Sequence, residues 1–228
     1  MSFDHRTFLD ALGDEFQRMA NPAIAKQQKE YLRGKFDYFG IKTPQRREAQ
    51  KPFLQKEFLP HIDEMPGLIK EIWERPQRDF QMFGVDLMLK YKKQLRHEDL
   101  DWLVYSIVTK SWWDSVDAIA VHQIGSYFQL YPSQISKVVP KWMASENMWL
   151  QRTCVIFQLK YKKELDVALL GQVIEQLLGS KEFFINKAIG WVLREYGKTN
   201  PDWVVDFANN HELSGLSRRE ALRIIQSK

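Results

Sequence analysis

A chain of 228 residues with 44% hydrophobic and 13% aromatic content has ample material for a folded core, which excludes disorder over most of its length. Its single cysteine, Cys154, excludes an intramolecular disulfide and a cysteine-based zinc cluster, and the five histidines have no metal-ligand spacing, so a reduced, cytoplasmic, metal-free protein is expected. The net charge of +4 is uneven: Lys137–Lys228 carries 14 Lys+Arg against 10 Asp+Glu while Met1–Ser136 balances at 19 against 19, an asymmetry that suits an anionic partner as well as it suits a solvated surface.

From the N-terminus, Met1–Arg18 predicts a polar amphipathic helix rather than a signal peptide, and no apolar run is long enough to suggest a membrane span. Thr43-Pro44 puts a cap residue before a proline at the first helical position, and Asn200-Pro201 repeats the pattern. Between them, Phe80–Lys92, Leu169–Leu178 and Ala188–Tyr196 carry apolar residues at helical spacing. Glycine and proline fall between these segments. The expected fold class is all-α.

The elements also repeat. Residues 89–95 read LKYKKQL and residues 159–165 read LKYKKEL, identical at six of seven positions and 70 residues apart. Half that offset recurs in Tyr91, Tyr127, Tyr161 and Tyr196, spaced 36, 34 and 35 apart. Predicted helix starts keep step at Pro76, Ser111, Ser145 and Ser180, where a serine hydroxyl can accept from the orphaned amides of a first turn. A period near 35 residues built of helix pairs predicts an α-solenoid over the whole chain, 1–228, as a single repeat domain with a concave basic face.

Within that period Thr109–Ala120, TKSWWDSVDAIA, stands out. Counted from the predicted starts, Trp113 and Asp117, then Met148 and Arg152, then Phe183 and Lys187 are pairs of residues that share a helix face. One column of the stack therefore reads Asp117, Arg152, Lys187, with an aromatic residue or methionine beside each. That arrangement suits a phosphate backbone over Arg152 and Lys187, with a cationic group against Asp117 and Trp113. Other readings stay open. Trp112 or Trp113 can be plain core, Asp114 can form a capping pair with Ser111, and Asp117 and Arg152 can simply pair with each other across the repeat.

SWWDSVD, NMWLQR (Asn147–Arg152), KEFFINKAIGWVLREY (Lys181–Tyr196), YFGIKTPQRRE near residues 38–48 and LSRREAL near 216–222 resemble the AlkD-type bacterial DNA alkylation-repair glycosylases. The resemblance runs essentially end to end. It implies HEAT-like helical repeats, excision of cationic purines alkylated at N3 or N7 from duplex DNA, no metal and no cofactor. It further implies Trp113, Asp117 and Trp191 as catalytic residues and Arg152 as a DNA-contacting arginine, with Tyr31, Phe183 and Phe184 around the cleft. Lys187 and Arg194 join the expected DNA-binding set, as do two RRE segments predicted to lie just inside helix starts, Arg46-Arg47 and Arg218-Arg219, since arginines and free amides there suit a phosphate. KYKK at 90–93 and at 160–163 reads instead as solvated helix ends. The expected form is a monomer in the bacterial cytoplasm, on the nucleoid when bound to DNA.

The implied chemistry is economical. An alkylated purine leaves neutral, so no general acid is required, and an anion near the sugar is enough to favour the charge that develops there. The resemblance implies that the lesion stays stacked while aromatic residues cradle its sugar. The competing expectation is a non-catalytic helical scaffold that binds DNA or a protein.

Overall fold

The computed structural model describes residues 3–225, and among these the regular elements are helices, with one isolated bridge between Asp37 and Gln77. It comprises two compact units, Met1–Lys110 and Ser111–Lys228. The first holds α1 (His5–Arg18), α2 (Pro22–Tyr31), α3 (Thr43–Ala49), α4 (Met65–Glu74), α5 (Arg78–Tyr91) and α6 (Leu100–Val108). The second runs α7 (Trp113–Ala118), a π-helical turn (Ile119–Ile124) and α8 (Gly125–Leu130), then α9 (Ile135–Met143), α10 (Met148–Ile156), α11 (Val167–Glu175), α12 (Phe183–Tyr196), α13 (Pro201–Asn210) and α14 (Gly215–Leu222). Among the described residues no helix is long and apolar enough to cross a membrane.

Helix starts agree with the sequence reading in part. Asn200 caps α13, its side chain accepting from the Trp203 amide at 3.1 Å ahead of Pro201. The first helix begins at His5 because Asp4 accepts from the Thr7 amide; Met1 and Ser2 of its predicted span lie outside the described residues. Thr43 is already helical, and Lys42 occupies the cap position without a side-chain bond. The repeated serines are not the caps. Trp112, Asn147 and Glu182 hold those positions, and Asn147 accepts from the Trp149 and Leu150 amides. Ser145 and Ser180 brace the preceding turns instead, accepting from the amides of Asn147 and Glu182 at 3.3 and 3.2 Å. Pro76 likewise precedes its helix by two residues, with Gln77 at the cap.

The period of about 35 residues is realised as bonds between successive helix pairs. In the first unit Trp73 Nε1 donates to the Thr109 carbonyl and Lys110 Nζ to the Arg75 carbonyl, separations of 36 and 35 residues. In the second, Tyr161 donates to the Gly125 carbonyl, 36 residues away, and Asp117 meets Arg152, 35 residues away. In this unit α7 packs on α10, α10 on α12 and α12 on α14, while α9, α11 and α13 pack behind them. Along α12 the buried residues Ile185, Ala188, Ile189, Val192, Leu193 and Tyr196 form one continuous stripe, each large aliphatic side chain contributing about 1.5–3 kcal/mol.

Gly190 interrupts that stripe for a steric reason. A Cβ there would lie 2.6 Å from Glu220 Cβ and 3.0 Å from the Ser217 carbonyl, so only glycine lets α14 approach α12 so closely. Gly190→Ala gains about 1 kcal/mol in helix propensity but loses about 1–3 kcal/mol or more to overpacking against backbone. A lowered melting temperature is expected by differential scanning calorimetry, and a raised one would show that α12 and α14 are not in tight contact.

Candidate active site

Trp113 opens α7 and Asp117 follows one turn later, so both side chains leave the same face. Directly across, α10 presents Arg152. Its Nε and Nη2 donate to the two Asp117 oxygens at 2.7 Å each, a bidentate fork, while Nη1 donates to the Phe184 carbonyl at the start of α12. The Arg152 side chain is 5% exposed and that of Asp117 17%. The guanidinium is therefore sealed in, whereas the carboxylate keeps an open side. A carboxylate has about four acceptor sites, and the fork uses two. Burial pushes the Asp117 carboxyl above its ordinary range, opposed by the hydrogen bonds and charge of Arg152.

Aromatic rings wall this pair. Trp112 meets Phe184 edge-on at 5.1 Å and Trp149 at 5.8 Å, and Trp149 lies 5.2 Å from Phe184. The Arg152 guanidinium sits 6.0 Å over the Phe184 ring. Trp112 is buried, whereas Trp113 and Trp191 are half-buried and Phe183 is 52% exposed beside Phe184. Of the two adjacent tryptophans, the first is core and the second is accessible.

On α12 the spacing of Lys187, Trp191 and Arg194 places all three toward one side. Lys187 Nζ donates to Glu220 of α14 at 3.1 Å, Arg194 Nη1 donates to the other Glu220 oxygen, and Arg223 stands 4.0 Å away. Burial works against the Glu220 carboxylate, but Lys187, Arg194 and Arg223 outweigh it and hold the carboxyl below its usual range. Three cations share one acid, so the cluster keeps a positive surplus.

The expected DNA-binding arginines divide. Arg152 lies in the interior with its fork on Asp117, not on the surface. Arg46 is 7% exposed on its side chain, bonded to Gln50 Oε1 at 2.6 Å and to Asp86 at 3.2 Å, because α3 turns this face onto α5; burial pushes its guanidinium down. Arg47, one residue on, is 64% exposed. Arg218 donates to the Ala208 carbonyl and to Asn209, tying α14 to the end of α13, and Arg219 is exposed. Tyr31, at the end of α2 in the first unit, is 72% exposed.

Two members of the site escaped the sequence reading, Trp149 and Glu220. Trp149 lies three residues before Arg152, a spacing that puts it near the same helix face. Glu220 ends the second RRE segment, 33 residues after Lys187. The repeat offset applied once more would have brought both forward.

Fold and site together define an all-helical repeat protein whose second unit sets a largely buried carboxylate with one open side, gripped by a buried arginine, among tryptophans and cations. The chain belongs to the DNA alkylation repair enzyme family, whose model matches residues 12–225. A solved structure described as a predicted DNA alkylation repair enzyme from Enterococcus faecalis is similar, with 30% sequence identity and a TM-score of 0.84 over 92% of this chain and 98% of that one. No curated protein is significantly similar in sequence.

Proposed function

We propose that this protein is a monofunctional DNA glycosylase that hydrolyses the glycosidic bond of cationic N3- or N7-alkylated purines in duplex DNA, acting as a monomer without metal or cofactor. The observation that carries this reading is the Asp117–Arg152 fork beside Trp113: a carboxylate fixed in place, with a guanidinium opposing the effect of its burial and one side open. As the alkylated base departs neutral, positive charge grows on the deoxyribose. The free acceptor sites of Asp117 stabilise that charge and orient the attacking water. A carboxylate at about 4 Å with an effective dielectric of about 20 contributes roughly 4 kcal/mol, about a thousandfold in rate, and Arg152 cancels part of it. That is too little to expel a neutral base and enough for one already primed to leave.

Trp113 and Trp191 offer faces to the cationic sugar and base, each worth roughly 0.5–2 kcal/mol. Arg152 acts through Asp117 as a positioning residue, while Lys187 and Arg194, held by Glu220, supply charge for the backbone. The alternative, a non-catalytic DNA-binding repeat protein, takes the fork as a tie between α7 and α10; the burial of Arg152 favours it, and the residual exposure of Asp117 beside Trp113 favours catalysis.

Incubation with methylated duplex DNA and chromatography of the supernatant tests the reading. Release of 7-methylguanine and 3-methyladenine is expected, with abasic DNA left unnicked. Borohydride should trap no covalent adduct. DNA bound without base release would establish the scaffold reading.

The pH dependence follows from Asp117. Only the ionised carboxylate stabilises the developing charge, and burial holds its carboxyl above 3.8. The excision rate at saturating protein, corrected for spontaneous depurination, should fall on an acid limb centred above the ordinary carboxylate value of 3.8. A rate that stays constant below that value would exclude an ionised Asp117 from the rate-determining step.

A further inference from the structure

The first unit contains an open cleft of about 670 Å³ lined by Arg47 and Lys51 from the α3 end, Lys56 from the turn beyond it, and Lys90 from α5. We infer that this cleft is a second, sequence-independent contact site for the phosphate backbone of duplex DNA. The inference rests on the reading of DNA as the partner and adds a location that the proposed active site does not include.

Two observations carry it. First, all four cations are exposed, and the sole acid in the lining is already satisfied from within. Asp86 accepts from Gln50 Nε2 at 2.7 Å and from the buried Arg46 at 3.2 Å. Arg46 thus serves the cleft indirectly, cancelling the Asp86 charge so that Arg47, 3.8 Å from Asp86, remains surplus. Glu48 pairs with Lys51 at 3.4 Å, but both are largely exposed, and such a pair is weak and screened. Second, the lining has no aromatic side chain on which a base could stack, and three of its four cations are lysines, compact charges on flexible stems. Those features fit a backbone phosphate and not a nucleoside.

The test compares the full-length protein with the triple variant Lys51→Gln/Lys56→Gln/Lys90→Gln, none of which belongs to the proposed catalytic set. Fluorescence anisotropy with an undamaged duplex across a salt series gives affinity and its salt slope, and single-turnover excision from methylated duplex at saturating protein gives the rate. Loss of three phosphate contacts should lower the slope by about two to three units and weaken binding in 0.1 M salt by about ten- to several-hundredfold. The saturated excision rate and the melting temperature should not change. Arginine at the same three positions should keep the wild-type slope. If the wild type binds duplex and the glutamine variant keeps its affinity and slope, the cleft is not a backbone site. If the wild type binds no duplex at all, the DNA reading fails and this inference with it.

Discussion

Asp117→Asn should lower the excision rate at saturating protein by about a hundred- to a thousandfold while leaving DNA affinity within about threefold. The rate ceiling comes from one carboxylate at close range, roughly 4 kcal/mol, less the share that Arg152 cancels. Affinity is spared because the charge that Asp117 stabilises appears only in the transition state, and loss of an anion from a DNA-facing surface does not penalise phosphate binding. Asparagine keeps the volume and one acceptor for Arg152, but it leaves a buried guanidinium without its counter-charge. Stability therefore falls too, and rates belong at temperatures where circular dichroism shows the variant folded. An excision rate within tenfold of wild type under those conditions would remove Asp117 from the catalytic role.

The largest effect on stability is expected for Arg152→Ala. Arg152 is 4% exposed and joins α7, α10 and α12 through Asp117 and the Phe184 carbonyl. Truncating one partner of a buried ion pair costs about 3–5 kcal/mol. In a protein of this size that is a fall of about 6–20 °C in melting temperature. A second readout separates positioning from plain structural support. Arg152 opposes the burial that raises the Asp117 carboxyl, by hydrogen bond and by charge. Its removal should move the acid limb of the rate profile to higher pH, so that at neutral pH less of the enzyme is ionised at Asp117. Arg152→Lys should recover only part of either effect, because a point charge cannot replace the planar fork. If stability falls and the acid limb stays where it was, Arg152 holds the helices together and does nothing for the carboxylate.

Burial of the opposite pole, Lys187 and Arg194 on Glu220, follows a different logic. These side chains are partly exposed, their carboxylate is shared, and the surplus charge remains available to an anion. Arg152 on α10 is thus sealed against its acid, while Arg194 on α12 lies nearer the surface.

Much of this was legible before any coordinates. Composition and helical spacing led to an all-α chain, and the offset of 35 residues set Asp117 and Arg152 in one column, where their mutual pairing was one of the readings left open and is the one the structure has. It did so because a repeat protein makes its contacts between neighbouring repeats, so one-dimensional periodicity reports three-dimensional adjacency. What the periodicity could not say is which way each side chain turns. Arg46 and Arg47 are adjacent in sequence and about 100° apart around a helix; the packing of α3 on α5 chose the first for the interior and the second for solvent. Trp112 and Trp113 were sorted in the same way. The serines kept the repeat phase but lost the caps to neighbours one or two residues on, since the cap goes to whichever residue the preceding turn leaves extended. The sequence by itself therefore determined the fold class and the register of the repeats. Only the tertiary structure decided that Arg152 is buried with its fork on Asp117, because partner choice depends on burial, and burial is a property of packed surfaces that no single helix possesses.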